Sequence, residues 1–248
     1  MHLGAMRKKR KRINLNPVPC LWVALCANLI LGLFFSRITS IVHARAAGVK
    51  SFDKGRIESI LSKLQGVPCM KIDSRIVESQ VMASGEVDQA EFTRNIFGNA
   101  LLTVKYKTPV AKLENTDNVA LSTDGVLYVA SELPPDLPTL QLPQGGPPTL
   151  VAFAGNWQPV SLAAVSVYAH DRFPRAVSKI SVDGRGIVCL NIGSGRVILG
   201  SCDDLDVKFK TLESRLQKNP QELEQITELN ITVPSSAVVV PKKGGKHK

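Results

Sequence analysis

The chain has 248 residues, 44% of them hydrophobic and 21% charged, enough to bury a core and long enough for more than one domain. Its formal charge of +10 sits at the ends: six basic residues fill positions 7–12, and Lys242, Lys243, Lys246 and Lys248 close the chain. Taking those six and four from the 31 basic residues leaves as many as the 21 acidic ones, so a nucleic-acid-binding face on the folded body is poorly supported.

The first element expected is a single transmembrane helix over residues 18–36. No charged side chain occurs from Ile13 to Ser36, and the stretch from Val18 to Phe35 is almost wholly apolar apart from Asn28. Roughly 20 helical residues cross the ~30 Å hydrocarbon layer. The basic run directly before this segment would hold residues 1–17 in the cytoplasm and send the rest across, a type II arrangement in the plasma (inner) membrane with the lipid bilayer as partner. Two other readings share the pattern. A cleaved signal peptide also starts basic and turns apolar, and Ala44-Arg45-Ala46 resembles a cleavage site; the length of the apolar stretch and the interrupting Arg37 favour retention. The basic hexamer also fits a nuclear or nucleic-acid signal, but its place against an apolar segment is better explained by topology and anionic headgroups.

A strand is expected over residues 37–47, closed by Gly48. Ile57, Ile60, Leu61 and Leu64 then fall at i, i+3, i+4 and i+7, the spacing of an amphipathic helix, which Gly66 and Pro68 end. Asp73 suits the N-cap of a second helix carrying Ile76, Gln80 and Val81 and stopping at Gly85. Strands at about residues 87–94 and 100–107 follow, joined through Phe97-Gly98-Asn99. The order β-α-α-β-β places two helices on one face of a three-stranded sheet.

From Val110 to Leu199 short β-rich runs alternate with turn signals such as Thr123-Asp124-Gly125, Gln144-Gly145-Gly146-Pro147-Pro148 and Val182-Asp183-Gly184, so this half reads as mostly sheet. A helix over about residues 205–217, a helical turn at 221–225 and a final strand between Leu229 and Val240 complete the chain. The fold class expected is α+β: a transmembrane helix, a small β-α-α-β-β domain (37–109) and a larger β-rich domain (110–241), between basic tails at 1–17 and 242–248.

Cys20 and Cys26 lie in the apolar segment, which leaves Cys69, Cys189 and Cys202, an odd number. A turn at Gly193-Ser194 sets Cys189 opposite Ile198, so a Cys189–Cys202 disulfide is out of register. No Cys/His metal spacing occurs, and no cofactor is implied.

Several of these segments carry a resemblance. Ala90, Arg94, Phe97, Asn99 and Leu101 resemble the A-x-V-x-R-x-W-P-N-x-L strand pair of the bacterial division family FtsQ/DivIB, and residues 104–111 (Val-Lys-Tyr-Lys-Thr-Pro-Val-Ala) resemble its V-x-E-R-x-P-V-A. Residues 121–128 are similar to its V-D-x-x-G-x-V-F hairpin, Leu137-Pro138-Thr139-Leu140 to its L-P-x-L, and residues 195–200 to its N-G-x-x-V-x-L-G strand. Phe97, Gly98 and Tyr106-Lys107 depart from the family's usual Trp, Pro and Glu-Arg, and the Pro-Trp usual before the second strand is missing at Ser84-Gly85-Glu86. The resemblance runs over nearly the whole chain and implies a POTRA domain at 37–109, followed by a β domain.

What it implies for function is a scaffold of the division machinery, recruiting FtsB-like and FtsL-like partners to the septum. A rival reading, a POTRA-containing envelope transport or assembly factor, fits less well, since outer-membrane export proteins of that kind carry several such modules and a barrel. Residue chemistry gives no reason to expect an enzyme or a small-molecule substrate: His2 and His247 lie in the tails, His43 near the apolar segment, and His170 stands beside Asp171 in an expected loop without a placed nucleophile. Arg94 and Lys107 read as strand-face charges before binding residues.

The partner-binding residues expected are Ser236, Ala237, Val238, Val239 and Val240. Their β-branched, uncharged character makes an edge strand that Pro241 and the following lysines prevent from running on. Edge protection against aggregation is the other reading of Pro241 and the lysines. The resemblance favours a partner strand here, since FtsQ-like proteins receive an FtsB-like strand near this end.

Overall fold

The structure, a computed structural model, describes residues 17–35, 39–143, 158–174, 176–183 and 185–241. The basic run at 7–12, the turn signal at 144–148 and the lysine tail after Pro241 lie outside these residues. The described residues are α+β, with six α-helices and twelve strands in two sheets, and they divide into two compact units. One comprises residues 1–81 and 90–104, the other residues 82–89 and 105–248.

Residues 17–35 form helix α1 (Pro17–Phe35), which corrects the expectation of a transmembrane span. No helix among the described residues is long and apolar enough to cross a membrane. The 19 residues of α1 rise about 28 Å, with no length to spare against a ~30 Å hydrocarbon layer. Pro17 and Pro19 occupy its first turn, and the carboxamide of Asn28 donates to the Ala24 carbonyl at 3.1 Å, a polar group in mid-helix.

In the first unit, β1 (His43–Ala47) is shorter than the expected strand, and among the described residues upstream of it Ser40 makes an isolated bridge, to Pro68. Helix α2 (Lys54–Ser62) buries Ile57 and Leu61, and α3 (Ser74–Met82) buries Val77 and Val81 while Ile76 stays exposed. Of the expected Ile76, Gln80 and Val81, the buried stripe of α3 thus includes Val81, with Val77 in place of Ile76. Asp73 accepts the Arg75 amide through Oδ1, as an N-cap should. The buried carboxylate of Asp53 holds Arg56 at 2.6 and 2.8 Å, and Arg56 Nη1 and Nη2 donate to the Val81 carbonyl, tying α2 to the end of α3.

Strands β2 (Val87–Arg94) and β3 (Asn99–Tyr106) form the hairpin behind these helices. In β3 strict alternation buries Ala100, Leu102, Val104 and Tyr106, the period-2 signature of a sheet with one covered face. Sheet order is β1-β3-β2, with β1 parallel to β3.

The second unit is built on a nine-stranded sheet of order β12-β11-β10-β9-β8-β7-β4-β5-β6. Its strands are β4 (Pro109–Leu113), β5 (Val119–Ser122), β6 (Leu127–Val129), β7 (Thr139–Gln141), β8 (Val177–Val182), β9 (Val188–Ile192), β10 (Gly195–Gly200), β11 (Ile226–Asn230) and β12 (Val238–Pro241). Parallel neighbours need a crossover: β5 and β6 lie between the parallel pair β4 and β7, α4 (Pro159–Arg172) between β7 and β8, and α5 (Leu205–Lys218) with the short α6 (Glu222–Gln225) between β10 and β11. The mostly-sheet reading of residues 110–199 thus missed α4. It buries Leu162, Ala163, Val165, Ser166 and Ala169, so little polar face marks it as a helix in sequence.

The expected hairpin at Asp124-Gly125 closes β5 onto β6, and α4 begins directly against it. Gly125 has φ +76, and a Cβ there would lie 2.5 Å from the Val160 amide nitrogen. Cys189 faces Ile198 across β9 and β10, and all five cysteines are free thiols.

Candidate partner-binding edge

The last two strands differ from the single one expected. β11 runs antiparallel to β12, pairing Glu228 with Val240, Leu229 with Val239 and Asn230 with Val238, and the intervening chain passes through a 3-10 turn, Pro234–Ser236. Of the five residues expected to bind a partner, Ser236 therefore lies in the turn, Ala237 is its extended exit, and Val238, Val239 and Val240 are strand. Pro241 is the last strand residue, opposite Ile226.

β12 is one outer edge of the nine-stranded sheet. Ala237 and Val239 point inward and pack on the core, while Val238 and Val240 are 59% and 45% exposed. Alternation thus gives the edge one anchored and one open row of side chains. The other edges are less suited to pairing with an apolar segment. β6 is three residues long, and the small sheet ends in β1, carrying His43 and Arg45, and in β2, carrying Asp88, Glu91 and Arg94. Charge and short length are the usual guards of an edge, and β12 has no charged residue within it.

Register across the sheet places further residues beside this edge that the sequence reading did not single out. Asn191, Arg196, Glu228 and Val240 form one transverse row; Cys189, Ile198, Asn230 and Val238 form the next. Arg196 donates through Nη2 to Cys189 Sγ at 3.2 Å, and this bond, with the charge of Glu228 adding to it, raises the guanidinium pKa further. This face therefore carries Asn191, Arg196, Glu228 and Asn230 beside the apolar Ile198, Val238 and Val240. No local sequence signal finds Arg196 and Glu228, because their meeting depends on a parallel pairing across α5.

Arg94 and Lys107, expected as strand-face charges, both serve the fold. Arg94 donates to the Cys69 carbonyl at 2.6 Å and to Ser74 Oγ. Lys107 donates through Nζ to the Gly85 carbonyl at 2.6 Å and stands 5.4 Å from the centre of the Tyr128 ring. Beside them Glu86 Oε1 accepts from the amide and hydroxyl of Ser131. Burial, with the charge of Glu86 behind it, pushes the Tyr128 phenol up to about 12.

An acid whose folded pKa lies above its unfolded one loses protons first in the unfolded chain, so the stabilising effect of neutral Tyr128 is complete below the ordinary tyrosine value and fades as pH rises towards 12. Phenolate absorbance on titration should show Tyr128 ionising late, and Tyr128→Phe should remove that late step. An unchanged titration in the variant would assign the late step elsewhere.

His170 and Asp171, expected in a loop, end α4 and are exposed. No group of three or more His, Cys, Asp or Glu able to hold a metal occurs among the described residues. Compared with known proteins, the chain matches no family model and no curated sequence.

Proposed function

We propose that this chain is a non-enzymatic scaffold of the bacterial division machinery, of the FtsQ/DivIB kind, acting at the septum by receiving FtsB-like and FtsL-like partners. The observation that carries the reading is the uncharged edge strand β12, with Val238 and Val240 open to solvent at the end of a nine-stranded sheet. A partner strand added there would gain main-chain hydrogen bonds for affinity and would meet alternate side chains for specificity. The motifs at residues 90–111, 121–128, 137–140 and 195–200, in family order, support the same reading.

The role requires no catalytic group: it is met by an edge, a register and a partner. A fluorescent tag on the N-terminal end, combined with depletion of the native copy, tests it. Enrichment at midcell and filamentation on depletion are expected; a uniform signal with normal cell length would remove the division role.

A further inference from the structure

The first unit exposes a second apolar surface, at the end of its small sheet where β2 turns into β3. The turn joining β2 to β3 is held by Asn95, whose Oδ1 accepts the amides of Phe97 and Asn99, each at 3.0 Å. Gly98 completes it with φ +79, its carbonyl accepting the Val42 amide at 2.8 Å. This fixed turn projects Ile96 and Phe97 outward, 53% and 79% exposed. Val42 adjoins Gly98 and is 61% exposed; Met70, 44% exposed, shares a depression with Ile96. Four large apolar side chains therefore stand at one end of the unit, on turns that main-chain and Asn95 hydrogen bonds keep in place.

Cations surround them. Residues 39–47, 68–75 and 94–99, which build this end, contain Arg45, Lys71, Arg75 and Arg94 against one acid, Asp73, whose Oδ1 caps α3. Arg45 lines a second depression with His43, Arg94 and Asn95 on the other side of the turn. Helix α1 packs beside the 3-10 turn Cys69–Lys71, which carries Met70 and Lys71. Its uncharged surface is apolar and exposed, as at Leu21, Trp22, Val23 and Leu29.

We infer that this end of the unit docks on the surface of a bilayer containing anionic lipids, with Phe97 and Ile96 entering the boundary between headgroups and acyl chains. Three features select a lipid surface over a protein groove. The apolar residues project from turns, and the depression that Ile96 shares with Met70 is open to solvent, not an enclosed groove. The apolar surface continues onto α1, which one lipid phase can cover together with the turn. The surrounding charge is four cations against one acid, an excess that suits phosphate headgroups. The inference is independent of the division role and of β12.

Full-length chain carrying Phe97→Trp, mixed with phosphatidylcholine vesicles with and without phosphatidylglycerol, tests it when part of the lipid is brominated in the upper acyl chain. The unsubstituted chain supplies the background from Trp22 and Trp157. Position 97 is open to solvent, so circular dichroism should match the parent. In anionic vesicles the added tryptophan should shift to the blue and lose about half of its emission to bromine, as expected for a residue in the interface. Lys71→Glu with Arg75→Glu should abolish that quenching, and so should vesicles of phosphatidylcholine alone. An added tryptophan that stays unquenched in anionic vesicles overturns the docking. Quenching of equal size in neutral vesicles, or in the charge-reversed variant, overturns the role of the cations.

Discussion

Lysine at both outward positions of the edge strand, Val238→Lys with Val240→Lys, should weaken capture of an FtsB-like partner about 30-fold or more, the equivalent of ~2 kcal/mol or above, while leaving the fold intact. The fold should tolerate the pair because both side chains already face solvent and neither belongs to the core. The partner should not, because its own strand would have to bring apolar side chains against two ammonium groups or leave them stranded at the rim. Edge lysines are the device by which sheets refuse additional strands, and β12 lacks them until Lys242.

Val239→Pro approaches the same contact through the backbone. It removes one N–H from a strand of four residues, and it does so opposite Leu229, whose side chain is fully buried. Its effect on binding is expected to be as large, with some loss of stability, so the lysine pair is the cleaner measurement. Titration calorimetry of the purified partner against both variants, with thermal unfolding alongside, decides the matter. If the lysine pair folds and retains the partner at parental affinity, the contact lies elsewhere on the molecule.

How far the sequence foretold this arrangement depends on the range of each interaction. Local periodicity was enough for α2, where Ile57 and Leu61 are four apart and both buried, and for β3, where every second residue is buried. It was enough for the Asp73 cap and for the pairing of Cys189 with Ile198, which follow from neighbouring turns. It failed at α4. That helix carries Val160, Val165 and Val167, residues common in strands, and its buried stripe of Leu162, Val165, Ser166 and Ala169 includes a serine while Val160 off it is exposed, so neither propensity nor polarity singled it out. Only the parallel pairing of β7 with β8 demands a crossover there, and that pairing is not visible in a single sequence.

The edge was legible in part for the same reason. Val238, Val239 and Val240 announce a strand by composition, but the turn at Pro234–Ser236 that separates them from β11 displaces Ser236 from it. Apolar length alone misled at α1, where a charge-free stretch reads as a span but the helix falls short of one.

Phe209→Ala should be the most damaging single truncation in the second unit, at about 3–5 kcal/mol, a large part of the ~5–15 kcal/mol that usually holds a domain together. Phe209 is fully buried on α5, in line with Leu205 and Leu212 at i−4 and i+3, and its ring stacks on Tyr168 at 5.5 Å and tilts against Phe173 at 6.3 Å. Removing it would empty the seam between α4 and α5 and loosen both helical crossovers. The same two helices are also joined by Arg172, which reaches Glu213 at 2.9 Å and Asp206 at 3.6 Å. These pairs stand partly in solvent, where screening and side-chain entropy leave them worth ~0–1 kcal/mol. The magnitudes therefore predict an order: Phe209→Ala should far exceed Arg172→Ala. Amide exchange at Leu190 and Leu229, buried in the sheet beneath, reads the stability of this unit by itself. Exchange there should quicken at least about a hundredfold in Phe209→Ala and change little in Arg172→Ala. If the two variants instead exchange alike, the aromatic stack does not hold the helices to the sheet, and the ion pairs carry more than their exposure allows.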